Sequence, residues 1–292
     1  MTIFQAIVLG IVQGLTEFIP VSSTAHLVFA ARAVGLYAGV DKTLQAEQTT
    51  ASMAVIQLGT LLAVLVYFAR DIVNITRAFI VDHLALLSRR SDNDKKLSHD
   101  AWMGWLVIIG SLPVGLVGLL FKKQIEGTFT KNLWVIATMM IVVAILLAIA
   151  EKVSKRNRGM DQLGVGDALA VGGAQVLALI PGSSRSGSTI MGGLFAGETR
   201  ETAARFSFLL SIPAIAASGL LELKEAITKL PSESYIPLGV ATLVSGIVGY
   251  LSIWFLLRYL RTHSTGVFIA YRLIVGSLIL VALAAGYLSA AI

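Results

Sequence analysis

Residues 172–189 read Gly172-Gly-Ala-Gln175-Val-Leu-Ala-Leu-Ile-Pro181-Gly-Ser-Ser-Arg185-Ser-Gly-Ser-Thr189: an apolar run, a proline, then a polar turn that carries an arginine. The apolar stretch around it, 167–197, reads as two short helices on either side of that turn. Neither half reaches the ~20 residues that a helix needs to cross a bilayer. Backbone that leaves the helix at membrane depth is tolerated only where it is buried in protein or lines a wet cavity. The stretch therefore predicts a re-entrant helix–turn–helix hairpin. A second stretch, 3–35, has the same form: Gly10-Ile-Val-Gln13-Gly-Leu-Thr-Glu17-Phe-Ile-Pro20-Val-Ser22-Ser23-Thr-Ala-His26. Gly-x-x-Gln recurs in both, and Pro-x-Ser-Ser recurs 161 residues later.

Around the hairpins, six stretches read as full crossings: 53–69, 101–121, 132–150, 206–222, 237–257 and 266–290. Composition agrees, with 292 residues, 56% hydrophobic and only 14% charged, and a mean hydropathy of +0.80. A soluble domain carries about 25% charged residues, so disorder, collagen, a disulfide scaffold and an ordinary soluble enzyme are excluded. Each hairpin is followed by three spans. A re-entrant hairpin returns to its own side and three spans then change sides, so the second copy enters from the opposite face. The expected fold is an all-α polytopic membrane protein. It has six transmembrane helices plus two re-entrant hairpins in an inverted-topology repeat, within a single integral membrane domain over 1–292. Repeat one covers about 1–150 and repeat two about 165–292.

The net charge of +6 would point to nucleic acid in a soluble protein; here its expected source is basic cytoplasmic loops, and no nucleic-acid partner is expected. The side holding 70–100, 151–166, 197–205 and 258–265 carries 14 Lys and Arg, against 7 on the other, with Arg185 and Arg272 inside apolar segments. The 70–100 segment, with Arg89, Arg90, Lys95 and Lys96, reads as a solvated loop and dominates that count. By the positive-inside rule the first side is cytoplasmic, and both termini and the mouth of the first hairpin face outward. The first basic residue is Arg32, so the N-terminal apolar run lacks a signal peptide's charged start and is expected in the mature fold. There is no cysteine, which excludes thiol chemistry and disulfides. Trp102, Trp105 and Trp134 fall at span ends, where aromatic belts lie.

Ionisable side chains at membrane depth are costly and mark function or a paired contact. Here they are Glu17, His26 and Arg185, with Gln13, Gln57 and Gln175 as neutral company. Gln13 and Glu17, four apart, share one helix face, and Gly10 and Gly14 beside them permit close helix contact. Glu17 is a candidate metal anchor, since Mg²⁺ is bound by one or two carboxylates plus substrate phosphate; the alternative is an internal pair with Arg185. Ser22, Ser23 and Thr24 precede His26, and a hydroxyl near an imidazole is the minimum for an activated nucleophile; the alternative is that Ser22 or Ser23 caps the second half-helix. Ser184, Arg185, Ser186 and Thr189 offer hydroxyls and a guanidinium fork beside a helix N-terminus, a set suited to phosphate oxygens.

At Gln13-Gly-Leu-Thr-Glu17, Pro20-Val-Ser-Ser-Thr-Ala-His26 and 181–189 the chain resembles the bacterial undecaprenyl-diphosphate phosphatases, the bacitracin-resistance family. The likeness also covers Val55-Ile-Gln57-Leu-Gly59 and Phe206-Ser-Phe-Leu-Leu-Ser-Ile-Pro213. It implies a bacterial inner (cytoplasmic) membrane enzyme, its site open to the periplasmic side, that hydrolyses undecaprenyl diphosphate and recycles the lipid carrier for peptidoglycan synthesis. It implies catalytic roles for Glu17, Ser23, His26 and Arg185. Gln13, Ser22, Gln57, Ser184, Ser186 and Thr189 would contact substrate, and Glu17 would anchor a divalent cation, Mg²⁺. Gln13 stands where the family also has Glu, which leaves one charged ligand fewer. Expected partners are the polyprenyl diphosphate, membrane lipids and, as an open option, a second copy in a homodimer. Attack by Ser23 with His26 as base and direct attack by water with His26 or Glu17 as base fit the sequence equally. A carrier or flippase for an anionic solute or lipid phosphate is the rival class, because broken helices in inverted repeats also build transporters.

Overall fold

The structure is a computed structural model that describes residues 1–87, 97–121 and 132–290. Among the described residues it is helical throughout. In chain order the helices are α1 (Ile3–Phe18), α2 (Ser23–Ala33), α3 (Lys42–Tyr67), α4 (Ala69–Leu87), α5 (His99–Leu120) and α6 (Leu133–Val153), then α7 (Val165–Val176), α8 (Arg185–Phe195), α9 (Arg200–Lys229), α10 (Tyr235–Leu260) and α11 (Gly266–Ala284). Six helical segments are long and apolar enough to cross a membrane: Thr43–Tyr67, His99–Leu120, Leu133–Val153, Arg200–Gly219, Ser232–Leu260 and Gly266–Ala284. There is one for each expected crossing, and the chain is a multi-pass membrane protein. The first begins ten residues before its expected start because Asp41 caps the helix, its carboxylate accepting from the Thr43 (2.9 Å) and Leu44 (3.4 Å) amides.

The 70–100 segment differs from its reading as a loop. Residues 69–87 form α4, which stays with the N-terminal end of α5: Asp82 accepts from the Ser98 amide at 2.8 Å, and Trp105 Nε1 donates to His83 Nε2 at 3.0 Å. None of the α4 residues is buried. Its charged residues broke up the apolar signal, although its apolar positions recur at helical spacing. Arg89, Arg90, Lys95 and Lys96 lie outside the described residues.

Two helix–turn–helix units, α1–α2 and α7–α8, stand where the hairpins were expected, and their lengths are compatible with re-entry. α1 lies along α10 and α7 along α5, while α3 packs on α9 and α6 on α11. Glycines allow the first two approaches. A Cβ at Gly10 would come within 2.6 Å of the Ala241 carbonyl oxygen, and one at Gly172 within 2.1 Å of the Gly110 carbonyl oxygen. The two turns and the helices around them share a core in which Phe18 meets Phe208 edge-on, ring centroids 5.3 Å apart.

The connection between α8 and α9, outside the candidate spans, holds a buried acid. Glu198 is fully buried, and neither of its carboxylate oxygens has a hydrogen-bond partner. Gly193 makes the room: a Cβ there would sit 2.5 Å from the Glu198 Oε2. Burial pushes the Glu198 carboxyl up, the Asp167 charge adds to this, and Arg158 opposes it, for a value of about 8 against an ordinary 4.5. The folded chain thus holds this proton more tightly than the unfolded chain. The stability this contributes is full below pH 4.5 and lost progressively as pH rises toward 8. Thermal unfolding in detergent, followed from pH 5 to 9, is expected to show a midpoint that falls with pH in the parent and falls much less in Glu198→Gln. Parallel slopes would count against a protonated Glu198.

Candidate active site

The two turns decide how the polar side chains are aimed. α1 ends at Phe18, and α2 begins after Ser22, which adopts a left-handed backbone with φ 78°. In the other unit Ser184 does the same before α8, with φ 66°. Left-handed conformations cost a side-chain-bearing residue free energy and cluster at functional sites. Ser22 and Ser184 lie 162 apart, as Gln13 and Gln175 do, so the structural register slips by one from the 161-residue spacing of the prolines. In that register Arg185 occupies the place of Ser23, and Ser188 the place of His26. Ser184 Oγ caps α8, accepting from the Gly187 amide at 3.2 Å. Ser22 makes no such cap; its hydroxyl is buried without a partner.

Glu17 is the junction of the two units. One of its oxygens, Oε1, accepts from Arg185 Nη2 across 168 residues of sequence. The other, Oε2, accepts from Ser23 Oγ at 2.9 Å and from Gln13 Nε2 at 3.1 Å. Gln13 also reaches Thr60 Oγ1 of α3 at 3.4 Å. The carboxylate side chain is 6% exposed and the guanidinium 18%, so the pair sits where water screens it little. Beside it is a cavity of about 10 Å³, lined by Glu17, Arg185, Ser186, Ser207 and Ser211 among others. That is room for about one water. A larger cavity of about 440 Å³, between α4, α5 and α9, holds none of the expected site residues.

Of the expected residues, Glu17, Gln13, Ser23 and Arg185 come together. Ser184 and Ser186 share a hydroxyl contact at 3.2 Å beside Arg185. Thr189 is bonded to neither side chain of the pair: its hydroxyl meets the Arg185 carbonyl at 2.7 Å and Ser207 of α9 at 2.5 Å. Gln57 is on α3 and enters through its carbonyl, which accepts from Thr60 at 2.7 Å. His26 makes its hydrogen bonds to groups other than Ser23. Its Nδ1 meets the Ser22 carbonyl oxygen at 2.7 Å, and its Nε2 meets the Tyr271 hydroxyl of α11 at 2.6 Å.

Four contributors escaped sequence reasoning: Thr60, Ser207, Tyr271 and Arg272. Arg272 had been noticed as a charge within an apolar segment and given no role. It is fully buried, and its guanidinium donates to five backbone carbonyls. These are Met139 (3.3 Å) and Met140 (3.1 Å) of α6, Pro20 (3.3 Å) of the first turn, and Gly182 and Ser183 (both 3.0 Å) of the second. One side chain thus fixes both turns to each other. Gly182, with φ 93°, admits this: a Cβ there would lie 2.2 Å from the Ile136 carbonyl oxygen.

Residues 6–278 match the family model described as "Bacitracin resistance protein BacA". An undecaprenyl-diphosphatase of Syntrophobacter fumaroxidans is 51% identical over 280 residues, which cover 96% of this chain and 97% of that one. One from Chloroherpeton thalassium is 48% identical over 299 residues, 99% of this chain and 100% of the other. One from Mycolicibacterium vanbaalenii is 45% identical over 293 residues, again 99% and 100%. With the match running from α1 into α11 and so enclosing both turns, the chain belongs to the bacitracin resistance protein BacA family.

Proposed function

We propose that the chain is an undecaprenyl-diphosphatase, the activity its relatives are named for, releasing inorganic phosphate and leaving undecaprenyl phosphate. This recycles the lipid carrier of peptidoglycan synthesis and accounts for bacitracin resistance. The observation that carries the reading is the Glu17 carboxylate, which joins Arg185 of one hairpin to Ser23 and Gln13 of the other. A transporter needs a substrate site; it does not need a hydroxyl held on a carboxylate beside a guanidinium.

The prenyl tail stays in the bilayer, where each buried CH₂ contributes ~0.8 kcal/mol. The diphosphate displaces Glu17 from Arg185, which exchanges a carboxylate for phosphate oxygens of the same fork geometry. Ser184 and Ser186 add hydroxyl donors. Ser23 Oγ, already donating to Glu17, attacks the terminal phosphorus as its proton passes to that carboxylate, and the phosphoanhydride bond breaks toward undecaprenyl phosphate. Water then attacks that phosphorus, the P–Oγ bond breaks to release phosphate, and the proton held by Glu17 returns to Ser23 Oγ. Glu17 replaces His26 as the base for Ser23, because Glu17 is the group that Ser23 touches.

Among the described residues no three or more His, Cys, Asp or Glu cluster to hold a metal. Against Glu17 stand the Ser23 hydroxyl and the Gln13 amide, which turns its Nε2 to the carboxylate, so the site offers a single anionic oxygen ligand. That set fits Mg²⁺ taken up with the substrate rather than a resident ion. Glu17 would hold it, and it would offset the charge on the transferred phosphoryl group.

The exchanged packing, α1 on α10 and α7 on α5, supports two repeats of opposite orientation in one integral domain. The 14-to-7 asymmetry of basic residues supports an inner-membrane orientation with the site opening to the periplasm. Phosphate release from undecaprenyl diphosphate by purified protein in detergent, with Mg²⁺ and with EDTA, tests the activity; no release from well-folded protein would overturn it. Ser23→Ala is expected to lower kcat at least ~100-fold, and single-turnover quenching of the parent should trap phosphoserine at position 23. Most activity retained by Ser23→Ala would make water the direct nucleophile.

A further inference from the structure

His26 is held at both ring nitrogens, and neither hold involves Ser23. The Ser22 carbonyl at Nδ1 can only accept, so Nδ1 carries the hydrogen and the neutral ring's one lone pair is at Nε2. That lone pair is met by the Tyr271 hydroxyl at 2.6 Å, with the two rings stacked 5.6 Å apart. Tyr271 belongs to the last helix of the second repeat, 245 residues away in sequence. Its neighbour Arg272 fixes that helix to the Pro20 carbonyl, two residues before Ser22, so phenol and imidazole are placed by one rigid connection. Tyr271 is 41% exposed, so the pair lies at the edge of the fold rather than in its core.

We propose that Tyr271 is the positioning residue for His26: it donates to Nε2 in the resting enzyme, fixes the Nδ1–H tautomer, and accepts from Nε2 once that nitrogen is protonated. This rests on the phosphatase reading above. In turnover the water that releases phosphate from Ser23 gives its proton to Nε2. The Tyr271 O–H rotates away, its oxygen accepts from the new Nε2–H, and the proton later passes from Nε2 to solvent. No net charge is left on the phenol. The groups facing the imidazole are few. α11 contributes Tyr271 and, deeper, the charge of Arg272, and the α6 residues packed on α2 (Leu133, Ile136, Ala137 and Met140) are apolar.

The test is Tyr271→Phe, which keeps the ring stack and removes the hydroxyl. Rate–pH profiles for undecaprenyl diphosphate hydrolysis are measured beside the parent, with thermal unfolding and ¹⁵N spectra of histidine-labelled protein. The expected result is a kcat lower by about 10–100-fold with KM nearly unchanged. The acid limb of kcat should move to lower pH, because the bond lost from the charged ring is stronger than the one lost from the neutral ring. The His26 Nε2 resonance should shift, while the unfolding midpoint stays near the parent's. A Tyr271→Phe enzyme with the parent's profile would overturn the proposal. So would a uniform loss with no movement of the limb, or a raised KM with unchanged kcat, which would make Tyr271 a substrate contact. A parent that releases no phosphate overturns the phosphatase reading itself, whereas an active parent with an indifferent variant overturns only the role of Tyr271.

Discussion

Arg185→Ala is expected to lower kcat at least ~1,000-fold, the scale on which a guanidinium that stabilises a transferring phosphoryl group acts. The loss has two sources in this structure. The phosphates lose a bidentate donor at the mouth of α8. Glu17 also loses its cation while still 6% exposed, so its charge is left with only Ser23 and Gln13 as donors. Arg185→Lys separates these. Lysine restores the charge beside Glu17 without the planar fork, so the protein should fold normally and remain poorly active. Phosphate release at saturating undecaprenyl diphosphate measures both variants. A near-normal rate in Arg185→Lys would show that Arg185 only neutralises Glu17 and does not clamp phosphate.

Arg272→Met should have the largest effect on stability. Methionine matches the length of the stem, but five carbonyls lose their shared donor, and each buried carbonyl left unsatisfied costs about 1–3 kcal/mol. Because two of the carbonyls belong to one turn and one to the other, activity should fall with stability even where the variant is folded. Arg272→Lys can reach at most three of the five carbonyls and should fall between the two. Tryptophan fluorescence during thermal unfolding in detergent reads the order parent, Lys, Met. A Met variant as stable as the parent would mean that the turns are fixed by their packing alone.

The two helix–turn–helix units and the six crossings were readable from the sequence because they are statements about length and solvent. A helix too short to span, ended by Pro20 or Pro181, can be placed in few ways, and uninterrupted apolar runs declare themselves. Glu17, Arg185 and their serines were found because polar residues are conspicuous in an apolar chain. α4 was missed because its charges diluted the apolar run on which the spans were read. The two motifs recur at two spacings, 161 residues for the prolines and 162 for the glutamines; the left-handed serines, Ser22 and Ser184, share the second, which residue types alone do not show because a backbone angle has no unique residue signature.

What the sequence by itself determined is the class of protein, the two broken helices and the stock of reactive groups. What only the tertiary structure decided is which groups meet. Ser23 and His26, three apart on one helix, serve different partners; Glu17 and Arg185, 168 apart, share a bond; and His26 finds Tyr271 from the far end of the chain. The reason is physical. Composition and spacing fix how a segment meets its solvent and which face of its own helix a side chain occupies. Contacts between segments depend on how close two helices come, which Gly10 and Gly172 permit, and on how two turns are pinned, which Arg272 does through backbone carbonyls that every residue possesses.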